Sequence, residues 1–311
     1  MSLKSIERLV VFGDCMADSG NIYELSENTF PSIPFYNGRF SNGPSWVENF
    51  ARILGVSVDN YAYGGATINN ELVSGKVKLP DGSKKLIPGV KQQIMKYLKL
   101  YPLSSKNVPI DRTLFIINAG TIDLSTLIIP EYYSIKGQIS ASRFVTELIE
   151  CTSMLYEHAH AKNILIVNCF PHELMPYVVQ MQNTKITQSC RNFTREFNEQ
   201  LMNSIQKLSF EYPMLNIIMY NVCDLVKKVN KNPAKYGLDE DVLVPAVDSY
   251  SKQMGIKTGG VGVMVENKGA MVKLWFDDSH FGSRMHQIIA VDAIKKLSLD
   301  IINNPTNYYH V

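Results

Sequence analysis

A cysteine stands where a buried apolar run turns, in Val10-Val11-Phe12-Gly13-Asp14-Cys15. Ligands of open α/β sheets gather outside the carboxyl ends of the strands, so a side chain at that turn is placed to react. A thiol there either fills a small apolar hole or, with a base beside it, acts as a nucleophile. Chemistry-bearing residues gather again near the other end, in Trp275-Phe276-Asp277-Asp278-Ser279-His280. His280 can be a satisfied polar residue at a helix start, a base, or, with Asp277 and Asp278, a metal ligand. No further His, Asp or Glu cluster at ligand spacing supports the metal, and none is expected.

These residues need a scaffold, and the pattern between them supplies one. Apolar runs at 8–12, 57–61, 113–118, 163–168 and 216–220 read as strands, several apolar throughout as parallel strands buried on both faces are. Helical spacing marks 45–54, 90–101, 141–161, 187–210 and 284–302, with Phe193, Phe197, Leu201, Ile205 and Leu208 forming one stripe. The alternation is that of a mainly parallel sheet wrapped by helices, an α/β protein. A Pro-Asp-Gly turn within 77–88 predicts a surface hairpin. The Gly- and Asn-rich stretch 230–269 reads as a long irregular connection. Strands continue on both sides of every candidate linker, so one domain over residues 1–311 is expected.

The turn at Cys15 resembles the first block of the GDSL, or SGNH, hydrolase family, F-G-D-S-x-x-D-x-G-N. Phe12, Gly13, Asp14, Asp18, Gly20 and Asn21 match it, with Cys15 where the family has its nucleophilic serine. The resemblance continues through Gly38-Arg39-Phe40-Ser41-Asn42-Gly43-Pro44-Ser45-Trp46, Asn60-Tyr61-Ala62-Tyr63-Gly64-Gly65-Ala66-Thr67, Asn232-Pro233-Ala234-Lys235-Tyr236-Gly237 and the terminal Asp277-x-x-His280 block. Five ordered blocks between residues 12 and 280 make chance agreement very improbable. The resemblance implies a three-layer α/β/α sandwich and an ester-hydrolysing triad: Cys15 as nucleophile, His280 as base, and Asp277, or its neighbour Asp278, orienting the base.

Two departures bear on the chemistry. A thiol at position 15 has a free pKa near 8.5 that an adjacent imidazolium would lower, so a thiolate is expected to be available. In the third block the family carries an asparagine whose amide binds the oxyanion, whereas Asn118-Ala119-Gly120-Thr121-Ile122-Asp123 puts Ile122 there. The remaining donors are the amides of Cys15 and Gly65, with the Thr121 hydroxyl or the Asn118 amide as substitutes if the loop is re-registered. Losing one side-chain donor costs ~10²–10³ in turnover. Asp123 reads as a structural turn former.

Two functions follow: a carboxylic ester hydrolase working through an acyl-enzyme, or a silent descendant that keeps the pocket for binding. Phe35, Tyr36, Phe40, Leu86, Phe170 and Met175 lie in the segments expected to wall that pocket, which favours a lipid or other apolar ester over a sugar-linked acetyl group. The chain has 31 Lys+Arg and 29 Asp+Glu, for a net charge of +2. Its lysines are scattered, which argues against nucleic acid as a partner. No apolar run is long enough to span a membrane, and no phosphate-binding or dinucleotide loop points to a cofactor. Five cysteines without a C-x-x-C pair and a start without a signal h-region lead to the expectation of a cytoplasmic protein.

Overall fold

The computed structural model describes residues 3–104, 109–247 and 269–303. Its centre is a five-stranded sheet of β1 (Arg8–Gly13), β2 (Ser57–Asn60), β3 (Thr113–Asn118), β4 (Asn163–Val167) and β5 (Asn216–Tyr220), in the order β2-β1-β3-β4-β5. All four pairings are parallel. Every residue of β1, β3 and β4 is buried, as their unbroken apolar runs require, while edge strand β2 is only half-buried. Arg8 reaches across to Asp59 at that edge and pairs with it.

Helices cover both faces. On one, α3 (Val90–Ser104) packs on α5 (Ala141–Ala159), and α5 on α7 (Thr184–Glu211). On the other, α2 (Trp46–Leu54) packs on α9 (Ser283–Asn303), which also touches α8 (Val222–Lys231). The α/β/α layering is therefore as expected, and the strand bounds differ from the sequence reading by at most one residue. Ser45 and Glu48 start α2 with a capping box, the glutamate accepting from the Ser45 amide at 2.8 Å.

The expected hairpin forms between Lys76–Lys78 and Lys84–Leu86, antiparallel. A second small ribbon joins Val73–Ser74 to Ser134–Ile135. Helix α8 was missed, although Asn221 caps it and Val222, Leu225, Val226 and Val229 line its buried face. Of the irregular connection at 230–269, Pro233–Tyr236 forms a 3₁₀ turn, and 248–268 lie outside the described residues.

The sheet order reverses between β1 and β3, whose last residues Gly13 and Asn118 lie in register. Such a switch point opens a crevice at the carboxyl ends of the two strands. Cys15 and the Thr121–Asp123 turn follow those ends directly.

Candidate active site

The turn after β1 is clasped from below. Gln93, buried on α3, accepts from the Gly13 amide at 2.9 Å and donates to the Gly13 carbonyl at 2.9 Å. Asp18, fully buried, takes the amides of Gly20, Asn21 and Ile22, and that of Gly64 at 2.7 Å. Asn21 donates to the carbonyls of Asn60 and Ala62. The first block thus holds the second beside Cys15. Gly64 is needed for space, since a Cβ there would stand 2.0 Å from the Phe40 ring. Gly65, at φ +79°, lies in the left-handed region that favours glycine. The amides of Cys15 and Gly65 donate to no other group among the described residues, and both residues line the cavity.

His280 sits at the end of a tight turn that Trp275 and Phe281 close, bridged antiparallel with their rings stacked at 4.6 Å. The Phe276 amide donates to the His280 carbonyl at 2.7 Å. Within the turn Asp277, fully buried, accepts from the amides of Ser279 and His280 and holds the imidazole Nδ1 at 2.9 Å. Asp278 accepts from its neighbour Ser279 and, through its carbonyl, from the Tyr177 amide. The geometry therefore distinguishes the two carboxylates: Asp277 is the one on the ring. With Nδ1–H directed at Asp277, Nε2 is the basic nitrogen. Phe40 flanks the imidazole, ring centres 4.9 Å apart.

After β3, Ile122 lies on the short helix α4 (Thr121–Ser125) and lines the cavity with an alkyl group. Thr121 lines it too. Asn118, expected as a substitute oxyanion donor if the loop is re-registered, does not line the cavity: it is buried, and its side-chain oxygen accepts from the Trp46 indole at 2.9 Å. Asp123 is structural, both oxygens accepting from the Ile68 amide at 3.1–3.2 Å.

Cys15, Gly65, Ile122 and His280 open on one cavity of about 550 Å³. Phe40, Phe170 and Met175 wall it as expected, joined by Phe30. Phe35 instead packs behind, against Phe276, and Tyr36 and Leu86 are exposed at the surface. Sequence reasoning singled out Thr121 and Ile122 but missed the rest of that wall, with Ile128 and Tyr133, and also His172. His172 is stacked on Phe170 with its ring nitrogens 3.1 and 3.0 Å from the carbonyls of Phe170 and Thr121. Burial pushes its pKa down to about 4 although both carbonyls favour the charged form, so it is neutral near pH 7.

The electrostatics run against one expectation, that of an available thiolate. Cys15 is only 7% exposed, and burial pushes its thiol well above the usual range, with Asp14, Asp277 and Asp18 adding to the rise. Its surroundings are acidic, which disfavours a thiolate at rest. Burial likewise raises Asp14 to about 7, with one carboxyl oxygen unpartnered, and Asp18 to about 6. Among the described residues no group of three His, Cys, Asp or Glu is placed to hold a metal ion, and no helix is long and apolar enough to cross a membrane.

The crevice at the switch point thus carries a nucleophile-type residue and an Asp–His pair on one cavity. Residues 9–292 match the family of GDSL-like lipases and acylhydrolases, and the chain belongs to it. It is 26% identical over 241 residues to a thermolabile hemolysin of Vibrio parahaemolyticus, covering 76% of this chain and 50% of that protein. It is 25% identical over 267 residues to a GDSL esterase/lipase of Arabidopsis thaliana, covering 73% and 71%. Among solved structures, a lipase from a goat rumen metagenome aligns at 12% identity and a TM-score of 0.43, covering 93% of this chain and 97% of that one. The chain spans about half the length of the Vibrio relative.

Proposed function

We propose that the protein hydrolyses carboxylic esters, lipid esters first among them, through an acyl-enzyme on Cys15. The single observation that carries the reading is that the Asp277-held imidazole of His280 and the Cys15 thiol border the same cavity, which Gly65 also lines. Family membership and the likeness to a GDSL esterase/lipase point the same way. The apolar wall suits an acyl chain.

In this mechanism His280 Nε2 takes the thiol proton as Sγ bonds to the carbonyl carbon, so no standing thiolate is required. The carbonyl oxygen gains the charge and meets the Cys15 and Gly65 amides. Collapse breaks the ester C–O bond, and His280 returns the proton to the departing alkoxide. Water then attacks the thioester with His280 again as base, which releases the acid and restores the thiol. Asp277 steadies the imidazolium at each transfer.

Ile122 at the donor position favours a second reading, a binding module with little or no turnover. One assay separates the two. Short-chain aryl esters are hydrolysed by the protein and not by Cys15→Ala or His280→Ala if the triad works; equal rates in all three refute it. All five cysteines are free and buried, which supports a reducing compartment such as the cytoplasm.

A further inference from the structure

The Lys76–Lys78/Lys84–Leu86 ribbon stands at the wall of the cavity, to which Lys76, Val77, Lys78 and Lys84 all contribute. Its register pairs Lys76 with Leu86, Val77 with Lys85 and Lys78 with Lys84. Cross-strand partners share a face, so Lys76, Lys78, Lys84 and Leu86 stand together on one side. Buried Val77 and Lys85 take the other, where Lys85 meets Glu27 at 3.5 Å. Like charges placed directly opposite destabilise a ribbon, and Lys78 and Lys84 are so placed. Among the described residues neither they nor Lys76 has a carboxylate within salt-bridge distance. The acid at the ribbon's turn, Asp81, accepts instead from the Ser83 amide. Leu86 lies 51% exposed amid the three ammonium groups, and the loop tied on by Glu27 presents Ile33 at 89%.

Three unpaired cations around an exposed leucine, beside the entrance to an apolar cavity, are complementary to one kind of surface. We infer that this ribbon docks the protein on an anionic lipid–water interface, its lysines on the headgroup charges and Leu86 in the acyl boundary, with the cavity facing the lipid. This goes beyond the hydrolytic reading and needs no turnover.

Sedimentation with vesicles tests it, in the full chain carrying Cys15→Ala so that hydrolysis plays no part. Vesicles of phosphatidylcholine alone are compared with vesicles in which a third of the lipid is phosphatidylserine. The protein is expected to partition onto the anionic vesicles. The triple variant Lys76→Gln, Lys78→Gln, Lys84→Gln is expected to lose on the order of 10²-fold in partitioning, about fivefold per lysine. A charge-matched control with Lys185→Gln, Lys207→Gln and Lys228→Gln, on α7 and α8, keeps most of its binding. Equal binding by both lipid mixtures, an unaffected ribbon variant, or an equal loss in the control overturns the inference. Matching melting temperatures of the ribbon variant and its parent, all three lysines being exposed, assign any loss to the surface rather than to unfolding.

Discussion

Asp277 grips His280 twice, taking the ring Nδ1–H at 2.9 Å and the main-chain amide of the same residue at 2.6 Å. A three-residue spacing suffices because the turn closed by Trp275 and Phe281 folds the backbone of His280 back onto the carboxylate that steers its side chain. Tautomer and ring direction are therefore set by one group.

Asp277→Asn removes the acceptor that fixes the tautomer and is expected to lower ester turnover by ~10³–10⁴, the scale of losing the orienting carboxylate in a Ser-His-Asp site. Asp278→Asn leaves the ring contact intact, and its turnover stays within a few fold of the parent. Steady-state kinetics on an aryl ester compare the two; comparable losses would mean that Asp278 is the orienting group.

Ile122→Asn returns a side-chain donor to the cavity wall at the place where the family has one. A well-aimed donor contributes ~10²–10³ in turnover, so a rise in kcat of at least tenfold is expected, with little change in KM. Unchanged kcat would show that the α4 turn does not aim position 122 at the developing charge.

Asp14 links stability to pH. Below about pH 4 its carboxyl is neutral in the folded and unfolded chain alike. Between there and pH 7 only the unfolded chain ionises it, because burial holds the folded group up to about 7. Stability it confers at low pH is therefore lost as the pH rises through about 7. Asp14→Asn keeps the acceptor for the Met16 amide and replaces an oxygen that has no partner. It is expected to exceed the parent in stability at pH 8 by on the order of a few kcal/mol. The advantage vanishes at pH 4, as urea unfolding at both pH values would read.

Gly64→Ala places a methyl group inside the Phe40 ring, and Phe40 flanks His280. Overpacking of this kind costs about 1–3 kcal/mol, and displacement of Phe40 disturbs the imidazole. A lower melting temperature accompanied by reduced kcat is expected; a lower melting temperature with full kcat would separate Phe40 from the ring's alignment.

The scaffold was legible because its strands are written as unbroken apolar runs. TLFIIN at Thr113–Asn118 and NIIMY at Asn216–Tyr220 can be little else, and the structure keeps those bounds. The site was legible where spacing is local, as in Asp277-x-x-His280. It was opaque where partners come from afar. Nothing near Gly13 announces Gln93, 80 residues on, and the environment of Cys15 adds to its sequence neighbours Asp14 and Asp18 the carboxylate of Asp277 from the far end of the chain, a sum over space that linear spacing does not contain. The same holds for Asn118, whose oxygen accepts from the Trp46 indole 72 residues away and which does not line the cavity.

The acidic surroundings of Cys15 also bear on durability. The sulfur anion is the form that attacks peroxides and alkylating reagents, and here burial and three neighbouring carboxyl groups disfavour it. If Cys15 works as proposed, a sulfur that keeps its hydrogen until a substrate arrives is expected to resist the overoxidation to which a permanently charged thiol is prone.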